Sequence, residues 1–156
     1  MLAIPDRQDQ IQRLLTRIGA ASVVDAHMFA DVIANACPRA FVLLEARKAT
    51  RLKQLIDSGA WVDAAMALLE AELPQWKVRR IACDDGDWHC RLSAQPWLPE
   101  GFDDVVESFH GVLALAILAA VVQAQQPGAT AWRIDEPSAD TVAISEPIRI
   151  CCDNFR

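Results

Sequence analysis

Between residues 76 and 92 the chain reads WKVRRIACDDGDWHCRL, which gathers two cysteines, a histidine and three arginines into one short stretch. Three chemistries could use these side chains. Thiolates and imidazole are the ligands zinc prefers. A cysteine beside a base can act as a nucleophile. Arginines flanking a histidine can grip an anion. The candidates for a metal site are Cys83, His89, Cys90, Cys151 and Cys152. Their spacing argues against it, because the first pair is C-x6-C rather than the close pair of structural zinc sites, and adjacent cysteines chelate one ion only with strain.

The local backbone decides between the other two. Asp85-Gly86 stands between two alternating apolar runs, a strong hairpin signal because both residues accept positive φ. The spacing predicts strands over 76–83 and 88–93. In that register Cys83 faces Trp88, Ala82 faces His89, Ile81 faces Cys90 and Arg80 faces Arg91. Alternation then places Ile81, Cys83, Trp88, Cys90 and Leu92 on one face, expected to be buried, and Arg80, His89 and Arg91 on the other. Neighbours on a strand point opposite ways, so His89 is not the base of Cys90. The expected ligand-binding residues are Arg80, His89 and Arg91, with no catalytic residue, no metal and no cofactor. Arg80 and Arg91, directly opposed, repel unless an acidic neighbour or an anionic ligand compensates.

The carboxylate runs have structural roles. Asp84, Asp85 and Asp87 suit a turn, and Asp104 with Glu107 suits a helix-capping box. Neither set has the alternating oxygen ligands of a calcium loop. The chain contains no G-x-S-x-G, no phosphate-cradling glycine loop and no H-E-x-x-H.

Helical periodicity surrounds the hairpin. Residues 7–18 show apolar spacing at Ile11, Leu14, Leu15 and Ile18, with Asp6 as cap and Gly19 as stop. A second helix starts at Ser22 with Asp25 in capping-box position, and Pro38 follows it. A long third helix is expected over 39–58, closed by Gly59, and a fourth over 60–72. After the hairpin, 105–125 reads as one helix with almost no polar side in its second half. Such a helix must be central or shared with another subunit. Residues 131–134 and 142–152 read as further strands, held to a sheet edge by Pro137 and Pro147. The expected fold class is therefore α+β: a four-helix segment (1–73), then a small antiparallel sheet made of the hairpin and the C-terminal strands, backed by the apolar helix. Residues 1–156 are read as a single domain.

Charge and composition narrow the function. The net charge is −6, with 8 basic and 6 acidic residues in 1–60 but 7 and 15 in 61–156. That balance argues against general binding to a phosphate backbone. Arg47, Lys48, Arg51 and Lys53 form a local exception; on a helix Arg47, Lys48 and Arg51 share a face, expected to be solvated, with a patch for phosphate or an acidic partner as the alternative. Five cysteines, an odd number, and no leader-like N-terminus fit a reducing, cytoplasmic setting with free thiols, with a redox role for Cys151 or Cys152 left open. The longest apolar run, 112–122, is eleven residues and too short to span a bilayer. The expectation is a small non-catalytic protein that acts by binding another protein or by homo-oligomerisation. The apolar helix and Trp88, Trp97 and Trp132 motivate that reading. The alternative is a domain or enzyme that holds an anion or small molecule in a pocket between sheet and helices.

Overall fold

A computed structural model describes residues 6–99 and 102–126. The expected strands at 131–134 and 142–152, with Trp132, Cys151 and Cys152, lie outside the described residues. Within them the order is α1 (Arg7–Ala20), α2 (Ala26–Ala36), α3 (Pro38–Glu45), α4 (Thr50–Asp57), α5 (Trp61–Glu72), β1 (Lys77–Asp84), β2 (Asp87–Ser93), β3 (Val105–His110) and α6 (Leu113–Ala124). The architecture is α+β: N-terminal helices, an antiparallel sheet ordered β1-β2-β3, then the apolar helix.

Helix α1 starts at Arg7 as expected but runs through Gly19 to Ala20, and α2 starts later than expected. Asp6 stands at the start of α1, but its side chain makes no capping bond. Helix α2 begins four residues later than Ser22, because Asp25 is itself the cap and its carboxylate accepts the Met28 N–H at 2.8 Å. The expected helix over 39–58 is two helices. Arg47 takes φ +54° between them, and the Lys48 and Ala49 N–H groups both fold back onto the Leu43 carbonyl. A left-handed arginine is unfavourable by itself. The bend places Ala40 of α3 and Leu52 of α4 in the core together, which one straight helix would not do.

The larger correction concerns 105–110. The Asp104/Glu107 pattern does not cap a helix; this segment is a strand paired along its length with β2. Two β-branched residues open it, and burial alternates, with Val106 and Ser108 inside and Glu107 and Phe109 exposed. Gly111 ends the strand, and α6 follows. Every residue of α6 from Ala114 to Val122 is buried. It packs on β2 and β3 from one side and on α1 and α5 from the other. The helix thus buries its whole circumference within one chain, and needs no second subunit to cover it.

Polar groups tie these layers at buried points. Ser108 Oγ donates to the Ala116 carbonyl, joining β3 to α6. The Val112 N–H donates to His110 Nδ1 at 2.9 Å, so Nε2 carries the proton and donates to the Ile18 carbonyl near the end of α1. Glu72, at the end of α5, accepts the Ala40 N–H at 2.8 Å and the Gln125 side-chain amide at 2.9 Å. Its carboxylate caps α3 from another helix and holds the end of α6.

Replacing Glu72 by Ala is expected to destabilise the fold by about 1–3 kcal/mol, since a buried N–H loses its acceptor. Urea unfolding measures this. A variant as stable as the parent would show that the Glu72 contacts do not hold the helices together.

Candidate functional site: the open face of the sheet

The hairpin register is the one its sequence implies: Cys83↔Trp88, Ala82↔His89, Ile81↔Cys90 and Arg80↔Arg91. The turn uses Asp85 at φ +48° and Gly86 at φ +90°. Burial of the inner face is only partial. Cys90 and Leu92 on the central strand are buried under α6, but Cys83 and Ile81 on β1 are exposed. Helix α6 packs on β2 and β3 and leaves this end of the edge strand uncovered.

The other face carries the expected binding residues, now joined by β3. Pairing continues across the sheet, so Arg80, Arg91 and Glu107 form one row and Ala82, His89 and Phe109 the next. These residues and Asp84 line a cleft of about 220 Å3. Glu107 Oε1 lies 3.5 Å from Arg91 Nε, both partly accessible to water. The His89 and Phe109 rings meet edge to face, with centroids 4.4 Å apart at 77°. Arg80 is exposed and makes no ion pair among the described residues. Phe109 is 57% exposed. The structure therefore brings Arg80, His89 and Arg91 onto one surface and adds Asp84, Glu107 and Phe109. Glu107 and Phe109 join the site only because 105–110 is a strand, where the sequence pattern predicts a helix. The signal that could have found them is the alternation of Val105, Glu107 and Phe109 against Val106, Ser108 and His110.

An ion pair ties the β2–β3 loop to β1. The Asp103 carboxylate, from the loop between β2 and β3, accepts hydrogen bonds from Arg79 Nη1 at 2.6 Å, Ser93 Oγ and the Gln95 N–H. Its side chain is fully enclosed. Enclosure by itself would raise the carboxyl pKa. The hydrogen bonds from Ser93, Gln95 and Arg79, with the Arg79 charge, outweigh it and hold Asp103 below its ordinary value. The same loop displays Trp97, which is 76% exposed, and the exposed Phe102.

The two buried thiols, Cys37 and Cys90, are poorly placed for chemistry. Burial pushes Cys90 up to about 11, and burial with the nearby Glu72 charge pushes Cys37 higher still. Both are therefore protonated at neutral pH, the inactive form of a thiol. Among the described residues no three His, Cys, Asp or Glu side chains come together as a metal site. Arg47, Lys48 and Arg51 do not share a helix face, because Arg47 and Lys48 lie in the bend before α4 and only Arg51 is on the helix. No helix among the described residues is long and apolar enough to cross a membrane. Comparisons with protein families, with curated proteins and with solved structures find no match to this chain.

The Asp103 contacts give a pH prediction. A carboxylate with a lowered folded pKa stabilises the fold above its unfolded value of 3.8, and that stability is lost as pH falls through the folded value. Asp103→Asn is expected to be less stable than the parent at pH 7, with the gap closing as both are acidified. Thermal unfolding measured from pH 7 to pH 2 checks this. A gap that stays constant would show that the Asp103 charge does not act through its hydrogen bonds.

Proposed function

We propose that this protein acts without catalysis, by binding a partner protein across the open face of its sheet. The observation that supports the reading is the composition of that face. It combines arginines with a half-exposed phenylalanine, while the helices pack on the other side. Arginine and aromatic side chains dominate the energetics of protein interfaces. The exposed Trp97 and Phe102 on the β2–β3 loop add side chains of the same kind. A larger groove of about 490 Å3 lies between α2, α3 and α4, along Phe41, Leu44 and Ile56. It offers few polar groups to fix a partner's orientation, so the sheet face is the better candidate. Homo-oligomerisation remains one form of the same reading, with a second copy as the partner.

A photo-crosslinking residue in place of Phe109 is expected to capture one discrete partner in cells. The same probe in place of Gln54, exposed on α4, should capture it much less, and adding Arg80→Glu should reduce the Phe109 product several-fold. Equal products from both positions, unaffected by Arg80→Glu, would remove the sheet face as the binding surface.

The cleft of about 220 Å3 favours a second reading, in which a small anion sits between Arg80, His89 and Arg91, in a pocket lined by strands alone rather than between sheet and helices as the sequence suggests. A thermal-shift series with inorganic phosphate, sulfate, citrate and glutamate tests it. Stabilisation that rises with anion concentration and is lost in Arg80→Glu supports this reading. No shift with any of the four leaves the protein-binding reading alone.

A further inference from the structure

Among the described residues β1 is an edge strand, paired with β2 on one side only, and α6 leaves its turn end uncovered. Natural sheet edges are blunted by bulges, prolines or charges that repel an incoming strand. The bulge of β1 lies at Arg79, so residues 80–84 are regular strand, and they contain no proline. Their backbone groups divide by alternation. The turn bond joins Asp84 to Asp87, and the hydrogen-bonded pairs that follow are Ala82 with His89 and Arg80 with Arg91. The N–H and C=O groups of Ile81 and Cys83 therefore point away from β2, out of the edge.

We propose that this edge pairs with the same edge of a second copy, antiparallel across a two-fold axis at Ala82. In that register Ala82 faces its own copy, Ile81 faces the partner's Cys83, and Arg80 faces the partner's Asp84; symmetry repeats each pairing. Ile81 and Cys83 carry the outward backbone groups, so each of their pairs exchanges two N–H···O=C bonds. The side chains agree with the backbone. Ile81 and Cys83, both exposed beside α6, gain apolar neighbours on that face. On the other face the exposed Arg80 meets a carboxylate at each end of the pairing. Moving the axis to Ile81 sets Asp84 against Val78 beyond the bulge, and moving it to Cys83 sets Asp84 against Ala82. An axis between residues sets outward backbone groups against inward ones. The charges thus match in one register, and residues that repel unrelated strands admit this strand's own copy. The pairing joins two three-stranded sheets into one and makes their open faces continuous. It concerns the strand edge and does not depend on what binds the open face.

Sedimentation velocity of the full chain over a roughly hundredfold range of concentration is expected to show a monomer–dimer equilibrium. Arg80→Glu opposes two carboxylates across the axis, and Asp84→Lys opposes two cations, so each variant alone is expected to dimerise at least roughly tenfold more weakly. Mixed in equal amounts, the two variants regain opposite charges at both positions, and a heterodimer is expected at concentrations where neither pairs alone. Within the hairpin the new Glu faces Arg91 and the new Lys faces Asp87, so both chains should fold, which circular dichroism verifies. The axis is tested separately in a chain with Cys83, Cys151 and Cys152 replaced by Ser. There Ala82→Cys should form an intermolecular disulfide under mild oxidation, since its Cα atoms lie ~4.5 Å apart across the axis, and Arg80→Cys should not. A monomer at every concentration overturns the proposal, whether the edge stays bare or residues 127–156 of the same chain cover it. A dimer unchanged by both charge substitutions, or crosslinked equally through positions 80 and 82, also overturns it. Photo-crosslinking at Phe109 reads the open face on its own, so each reading fails by a different result.

Discussion

Burial of α6 around its whole circumference is the constraint from which the rest of the arrangement follows. Leu115, Ile117, Leu118, Val121 and Val122 are all withdrawn from water, and each such side chain stabilises the fold by about 1.5–3 kcal/mol. A helix apolar on every side cannot rest on one neighbour; it needs a layer above and a layer below. The sheet supplies one through Cys90, Leu92, Val106 and Ser108, and α1 and α5 supply the other. A three-stranded sheet has only two faces, and α6 occupies one of them. The open face of the sheet is therefore the one that remains once the central helix has been enclosed.

Enclosing α6 also fixes where polar groups must be satisfied inside the protein. The alanines at 114, 116, 119 and 120 let neighbouring elements approach closely, and Ser108 uses that approach to donate into the Ala116 carbonyl. At the start of the helix, His110 accepts from Val112 and donates to Ile18. At its end, Gln125 reaches Glu72, which also caps α3. Glu72 is an unfavourable charge for the end of its own helix and a favourable one for the start of α3. The second effect prevails because the Ala40 N–H points directly at the carboxylate, which is buried with it. The two ends of α6 are thus held by side chains from different parts of the chain, and the hydrophobic contacts act between fixed endpoints.

The legible parts of this fold were those set by local chemistry. The hairpin register follows from Asp85-Gly86 and the alternation on either side, and it is reproduced from Cys83↔Trp88 to Arg80↔Arg91, beyond which a bulge at Arg79 shifts it. Helices α1 and α5 follow from apolar spacing and α2 from spacing with its Asp25 cap, and Pro38 and Gly59 mark boundaries as their geometry requires. What was not legible depended on tertiary pairing. Residues 105–110 satisfy both a capping pattern and a strand pattern, and only the open edge of β2 selects the strand. The bend at Arg47 has no glycine to announce it; it exists because Ala40 and Leu52 must both reach the core. Cys83 and Ile81 follow the inward alternation yet remain exposed, because alternation specifies a direction and not what lies there. For the site, Arg80, His89 and Arg91 were readable from the hairpin alone. Glu107 and Phe109 became part of it only with the third strand.

That difference matters for how the face works. With two strands the surface is a pair of opposed arginines beside a histidine, a simple anion site. The third strand places a carboxylate 3.5 Å from Arg91 and an aromatic ring against His89. Glu107 compensates part of the positive charge, so an incoming anion competes with a group already held in place. Phe109 gives the middle of the face an apolar element that a free anion cannot use and a longer segment can. A surface that pre-neutralises one of its cations and exposes an aromatic ring beside it favours partners offering both charge and apolar contact.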